Sequence, residues 1–250
     1  MRGQPALAAA GSPPALAALG EVVHDRAAPV ATRVDALSSL VVVERPSPEA
    51  MRIPLDLLDE SDATLRGAAG LMSGSLSRAG RGEHRDEADA IDRALIARFR
   101  EASDPAERTH LLAALGNSVG PEALPVIEGA LADPRADVRA AAARALRLGD
   151  GVDHQLAEAM TGDGDARVRD AAVFAAGFRP VEPLVAALVK TVTSDPVEYV
   201  RAGALSIHLR HLDGPHQIRE TVAQVAEHDP KPGVRRVARE ALAAQPRSPR

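Results

Sequence analysis

The chain has 250 residues, 45% of them hydrophobic, and a net charge of −5 at pH 7, the profile of a soluble globular protein with enough apolar content for a sizeable core. Only 2% of residues are aromatic, with no Trp, a single Tyr and three Phe, so the core has to be built from Ala, Leu and Val, and base-stacking platforms are disfavoured. The lack of cysteine excludes disulfides, Cys-ligated zinc and thiol catalysis, and the acidic balance argues against general nucleic-acid binding.

The first stretch, MRGQPALAAAGSPPALAALG, carries one basic residue and an Ala/Leu run broken by Gly11, Pro13 and Pro14. That makes a poor signal peptide, so residues 1–14 are expected as a flexible N-terminus and the protein as cytoplasmic. No run approaches the about 18 apolar residues of a membrane span. Apolar helical patterns then recur at 14–23, 48–58, 88–100, 121–131, 152–160, 180–193 and 215–226. Several open on Pro, which the first helical turn tolerates because its N–H has no intrahelical partner there, whereas Pro54 and Pro125 fall further in and are expected to kink or delay their helices.

Each pattern is followed by a second helix, anchored on Arg33, Arg66, His110, Arg139, Arg169, Arg201 and Arg235. The anchor spacings are 33, 44, 29, 30, 32 and 34, those of a tandem array with one insertion. The long interval contains SGSLSRAGRGEHRDE, residues 73–87, which reads as an inserted solvated loop. The last residues, 245–250, have no apolar pattern and are expected to be a disordered tail.

The array is clearest in its last four copies: DPRADVRAAAARAL from 133, DGDARVRDAAVFAA from 163, DPVEYVRAGALSIH from 195 and DPKPGVRRVAREAL from 229. Val138, Ala141, Ala142, Ala145 and Leu146 fall at the i, i+3, i+4, i+7, i+8 positions of a buried helical stripe. One pair of short helices cannot bury both its faces, so neighbouring pairs must cover each other. Residues 15–244 are therefore expected to form an all-α solenoid of about seven helix pairs, with the first two or three degenerate.

The pattern Asp-Pro-x-x-x-Val-Arg-x-x-Ala-x-x-Ala-Leu resembles the HEAT-repeat family, closely over 133–242 and loosely from about residue 15. A finer resemblance covers residues 107–146. There ERTHLLAALGNSVGPEALPVIEGAL, with Leu115, Gly116, Asn117, Pro121 and Leu124 in the matching places, is similar to the helical superhelix of the vitellogenin and microsomal lipid-transfer proteins. That resemblance implies the shape and an alternative, lipid-associated role. The family's lipid is held largely by β-sheets, however, and no strand-rich segment is visible here.

Repetition speaks against catalysis for the recurring pairs Asp133/Arg139, Asp163/Arg169, Asp195/Arg201 and Asp229/Arg235, since an active site needs one converging constellation. Asp caps a helix or forms a turn, and Arg six residues later can reach the turn of its own or the next repeat, which makes a structural ladder. His208, His211 and His216 in HLRHLDGPH are the candidates for a metal, although their spacing matches no zinc signature and His208 stands at a packing position equivalent to Leu146. Carboxylates in DEADAID, 86–92, complement a helix N-terminus, TGDGDAR lacks the terminal Glu of a calcium loop, and GSLSRAGRG lacks the ending of a phosphate loop.

Some HEAT-like arrays are enzymes. The His-Glu motifs of the deoxyhypusine hydroxylases are missing, because no His is followed by Glu, and the Trp-lined basic surfaces of HEAT-like DNA glycosylases are missing too. Phycobilin lyase subunits share the repeat style alone. The expectation is thus a non-enzymatic scaffold without a cofactor, binding another protein on the concave face of the array, with a subunit of a HEAT-type enzyme such as a lyase-like protein as a further alternative. Candidate contact residues are the exposed, non-repeating positions of the second helices: Arg135, Asp137, Arg144, Arg147, Arg167, Asp170, Glu198, Tyr199, Arg210 and Arg236. Tyr199 suits either an interface anchor or a turn-packing role.

Overall fold

The computed structural model describes residues 13–42 and 45–244, and among these it contains fourteen α-helices and no strand. The chain divides into two compact units, Met1–Ala132 and Asp133–Arg250. The expected flexible N-terminus and disordered tail lie almost wholly outside the described residues, except that Pro13 and Pro14 already begin the first helix.

The N-terminal unit holds α1 (Pro13–His24), α2 (Val30–Ser38), α3 (Pro48–Arg52), α4 (Ala63–Gly80), α5 (Arg85–Glu101), α6 (Pro105–Ser118) and α7 (Ala123–Ala130). Sequence chemistry starts these helices. Ser47 caps α3 ahead of Pro48, Asp62 accepts the Thr64 and Leu65 N–H groups ahead of α4, and Asp104 accepts that of Glu107 ahead of α6. Pro54 ends α3 early and leaves a 3₁₀ turn at Leu55–Leu57. Pro125 is absorbed in the first turn of α7. The second helices α2, α4 and α6 pack in one row, and α3, α5 and α7 succeed one another in the other.

Residues 73–87 do not form the expected loop. Helix α4 runs unbroken to Gly80, with Ser73, Gly74, Leu76 and Ser77 buried, and only a short turn separates it from α5. Small side chains are what that packing requires: a Cβ on Gly74 would stand 2.0 Å from the Ala114 carbonyl oxygen of α6. Glycine and serine here permit close approach of two helices rather than a turn. The start of α5 also differs from a plain solvated helix end. Asp92 is buried, accepting from the Ser77 hydroxyl at 2.9 Å and paired with Arg81, which also donates to Asp89 at 2.6 Å.

The C-terminal unit holds α8 (Ala136–Ala145), α9 (Asp153–Gly162), α10 (Ala166–Ala176), α11 (Val185–Ser194), α12 (Glu198–Arg210), α13 (His216–His228) and α14 (Pro232–Ala244). Second helices α8, α10, α12 and α14 stack in a row, and α9, α11 and α13 form the layer behind them. The core between is the repeating apolar stripe: Val138, Ala142 and Leu146, then Val168, Ala172 and Ala176, then Val200 and Ala204, then Val234 and Ala238, all buried. Alanine at these places lets helices approach closely without aromatic filler.

Candidate functional site

What positions the surface of the C-terminal unit is the ladder, and its rungs run between repeats. Arg139 donates from Nη1 to the carbonyl of its own turn residue, Asp133, at 3.0 Å, while Nε and Nη2 clamp the carboxylate of the following Asp163 at 2.8 and 3.0 Å. Arg169 treats Asp163 and Asp195 in the same way, and Arg201 treats Asp195 and Asp229. Each Asp also accepts the N–H two residues on, shaping the turn. Burial deepens along the ladder, from side chains 20% and 13% exposed at Arg139–Asp163 to 4% and 2% at Arg201–Asp229. Arg139 holds the Asp163 carboxyl below its ordinary pKa. Burial works to raise that of Asp229, but the bonds from Arg201 and the Lys231 N–H prevail and lower it.

On this frame the candidate contact residues separate into groups. Asp137, Arg167 and Tyr199 stand near the starts of α8, α10 and α12, with Arg167 forked onto Asp165 at 2.8 and 3.0 Å and under the influence of Asp137 and Tyr199. The forked side chain of Arg167, joined by its backbone N–H, brings the Asp165 carboxyl down to about 2. Arg135 pairs with Asp137 at 3.5 Å. Tyr199 is 50% exposed, so it is a surface side chain. Glu198 turns to Lys231 at 3.4 Å, and Arg236 turns to Glu240 on its own helix at 3.2 Å. Arg147 is half-buried just after α8.

The second group converges. The Arg144 guanidinium lies 4.2 Å above the ring of Phe174, and Phe174 in turn meets Phe178 with ring centroids 5.0 Å apart. Arg210 reaches across from α12 to Gly177, where any Cβ would come within 2.8 Å of its Nη2. Asp170 lies half-buried on the same helix as Phe174, its carboxyl raised above the ordinary value by burial while Arg144 opposes the shift. Phe174 and Phe178 are 39% and 57% exposed. Three of the four aromatic side chains in the chain therefore face solvent in this unit. The sequence reading missed both phenylalanines, although the repeat alignment carries the signal: Phe174 follows Arg169 by five residues, as Arg144 follows Arg139.

The histidine candidates for a metal are not brought together. His208 is 1% exposed at the packing position of its repeat, with Nδ1–H donating to the Ala204 carbonyl at 2.8 Å and Nε2 buried without a partner. His216 is exposed and faces Glu220 at 3.4 Å. Among the described residues no three His, Asp or Glu side chains gather in a metal-binding group. Leu115 and Gly116 of the Leu-Gly-Asn motif are buried, and Asn117 bonds Ser75, so the motif closes a helix end. In the N-terminal unit His110 replaces the ladder arginine and edges a cleft with Arg66, Arg98 and Glu107. Its cavity volume is about 60 Å³. No helix among the described residues is long and apolar enough to cross a membrane.

Residues 91–175 match the family described as HEAT repeats. No curated protein matches the chain. Among solved structures, the chain is similar to the complex of CpcE and CpcF of phycocyanin lyase from Nostoc sp. PCC7120, at 19% identity over 86% of this chain and 82% of that one, with a TM-score of 0.50. An archaeal HEAT-like repeats protein from Thermococcus onnurineus NA1 aligns at 16% identity over 90% and 95%, TM-score 0.49. Human deoxyhypusine hydroxylase in complex with glycerol aligns at 17% identity over 91% and 94%, TM-score 0.46. The expectation of a non-enzyme is thereby overturned. The fold is shared with the phycocyanin lyase complex, and a fold so shared is no mark of an inert scaffold.

Proposed function

We propose that this chain, whose residues 91–175 match HEAT repeats, binds a protein partner through the exposed face of its C-terminal second helices, with Phe174, Phe178, Arg144 and Arg210 as the anchors. The observation that carries the reading is the stacked Arg144–Phe174–Phe178 group at the surface of a chain otherwise nearly devoid of aromatics. Aromatic and arginine side chains dominate interface hot spots, and stacking holds these rotamers before a partner arrives, which lowers the entropy lost on binding. Asp170, Asp137 and Arg167 supply a charged rim around the apolar pair.

The test is a photo-crosslinking amino acid placed at Phe178 and, as a control on the layer behind, at exposed Glu158 of α9. A discrete protein adduct is expected from Phe178 alone, lost when Phe174 is changed to Ala. Equal labelling from both positions refutes the reading.

A second reading makes the chain a subunit of a HEAT-type enzyme, and the likeness to the CpcE–CpcF complex of phycocyanin lyase favours it. It assigns the same face to the contact between subunits. Assay of the purified complex, with and without Phe174→Ala, distinguishes the two: activity that disappears with the contact supports the subunit reading.

A further inference from the structure

The N-terminal unit builds rungs of the same kind, and at one of them the carboxylate position is filled by alanine. Arg33 bonds the Val23 carbonyl and holds the Glu60 carboxylate at 2.7 Å. Arg66 donates from Nη1 to the carbonyls of Glu60 and Ser61 at 2.5 and 3.2 Å. Arg139 takes the same posture on Asp133 and Pro134, and Arg169 on Asp163 and Gly164. In those two the posture aims the Nε–Nη2 edge at the Asp that follows the next rear-layer helix. For Arg66 the corresponding residue, directly after α5, is Ala102.

Ala102 has the backbone of a rung residue without its side chain. Its φ and ψ are −64° and 119°, against −68° and 136° at Asp163 and −64° and 131° at Asp195. Asp104, two residues on, caps α6 as Asp165 caps α10. His110, at the anchor place of the alignment, leaves the Ala102 carbonyl to Arg108, whose Nη1 donates to it at 3.4 Å. The Asp163 carboxylate receives three N–H groups, Nε and Nη2 of Arg139 and the backbone N–H of Asp165. Their counterparts around Ala102 are Nε and Nη2 of Arg66 and the backbone N–H of Asp104, and among the described residues none of the three has a hydrogen-bond acceptor. Glu107 Oε1 lies 3.7 Å from Arg66 Nε, beyond hydrogen-bond distance, and is bonded to Nε of Arg98 at 2.8 Å. Arg66 and Asp104 border the same cleft, whose wall includes the apolar Leu58, Ala63, Ala106 and Leu111.

We propose that this cleft binds a small organic carboxylate in the place that an Asp side chain takes in the other rungs. Its oxygens accept from Nε and Nη2 of Arg66, one of them also from the Asp104 N–H, and its stem lies on the apolar wall. The nearby Glu107 carboxylate is neutralised by Arg98, and a second carboxylate stands close to a filled rung as well, where Asp165 neighbours Asp163. The ligand is a carboxylate on a short stem, carried by a free acid or by an acidic side chain. The site involves neither Phe174 nor Phe178 and is independent of the partner-binding face.

Titration of the isotope-labelled 250-residue chain with sodium butyrate at constant ionic strength, followed by amide NMR, tests the site. Butyrate is expected to shift the Asp104 amide signal saturably, and neutral butyramide to leave it in place. Arg66→Gln is expected to weaken binding by about tenfold or more. Ala102→Asp supplies the carboxylate from within the chain, so it is expected to abolish the butyrate shift while raising the melting temperature, a combination that misfolding does not produce. The blocked peptide acetyl-Gly-Asp-Gly-amide, titrated separately, identifies the source: tighter binding than butyrate assigns the site to an acidic side chain, and weaker binding to a free acid. The proposal is overturned if neither carboxylate shifts Asp104, if butyramide binds as well as butyrate, or if Ala102→Asp binds butyrate undiminished.

Discussion

Replacing Asp229 by Ala should be among the most damaging single changes in the C-terminal unit. The carboxylate is 2% exposed and receives Nε and Nη2 of Arg201 at 2.8 and 3.2 Å, while Arg201 itself is 4% exposed. Its removal strands a guanidinium left, among the described residues, with the Asp195 carbonyl as its hydrogen-bond partner. Breaking a buried pair in this way costs about 3–5 kcal/mol, and loss of the oxygen that accepts the Lys231 N–H adds about 1 kcal/mol. The same change at Asp163, whose pair with Arg139 is more exposed, should cost about 1–2 kcal/mol, because water and the surface dielectric compensate the freed charge. Urea unfolding followed by circular dichroism at constant slope reads both values. The combined Arg201→Met, Asp229→Leu variant should be more stable than Asp229→Ala, since no charge is left buried. A cost for Asp229→Ala below about 1 kcal/mol, or a double variant as unstable as the two single costs added together, would refute a buried, coupled rung.

Acid should act on the same rungs. Asp163 and Asp229 have lowered carboxyl pKa values in the fold, so their contribution is complete above the ordinary value of 3.8 and is lost as pH falls through the lower folded values. Melting temperature measured on the acid side should therefore drop, and less steeply in the Arg201→Met, Asp229→Leu variant. His208 acts at milder pH. Burial lowers its pKa from 6.5, with a small opposing effect from its bond to Ala204, so the unfolded chain takes up the proton first and stability declines as pH falls below about 6.5. His208→Leu should remove that part of the pH dependence and, by replacing a buried unpartnered nitrogen, raise stability by about 1 kcal/mol. Gly74→Ala should cost about 1–3 kcal/mol, because the new methyl meets the Ala114 carbonyl at 2.0 Å, and differential scanning calorimetry should show a lower melting temperature.

The repeat was legible because its signal is redundant. The Asp turn, the Val-Arg pair and the Ala/Leu stripe each return at nearly the same interval, and Val138, Val168, Val200 and Val234 are buried where that stripe puts them. Residues 73–87 were misread because Gly and Ser serve both turns and close helix contacts, and only the partner, here Ala114, decides between them. The direction of the ladder was half legible. Six-residue spacing brings Arg139 to the Asp133 carbonyl, but the carboxylate it clamps is fixed by stacking. Phe174 escaped notice because it sits in an Ala-rich helix that reads as core, although the homologous Arg144 had already marked the position as outward. The missing motifs of known HEAT enzymes did not license the expectation of a non-enzyme, since they say nothing of chemistry placed on exposed positions that do not repeat.

The residues between each arginine and the carboxylate it holds number a separation of 24, then 26, then 28 along the chain. The clamp is nearly identical in all three, so it responds to the distance between adjacent turns and ignores how much polypeptide is looped out behind them. Insertions in the rear layer can thus accumulate without shifting the front. Conversely, excision of one whole repeat would leave Arg139 facing Asp195 with its chemistry intact. The array can gain or lose entire units and still present a continuous ladder, which gives a simple route by which chains of this kind change length without breaking their rungs.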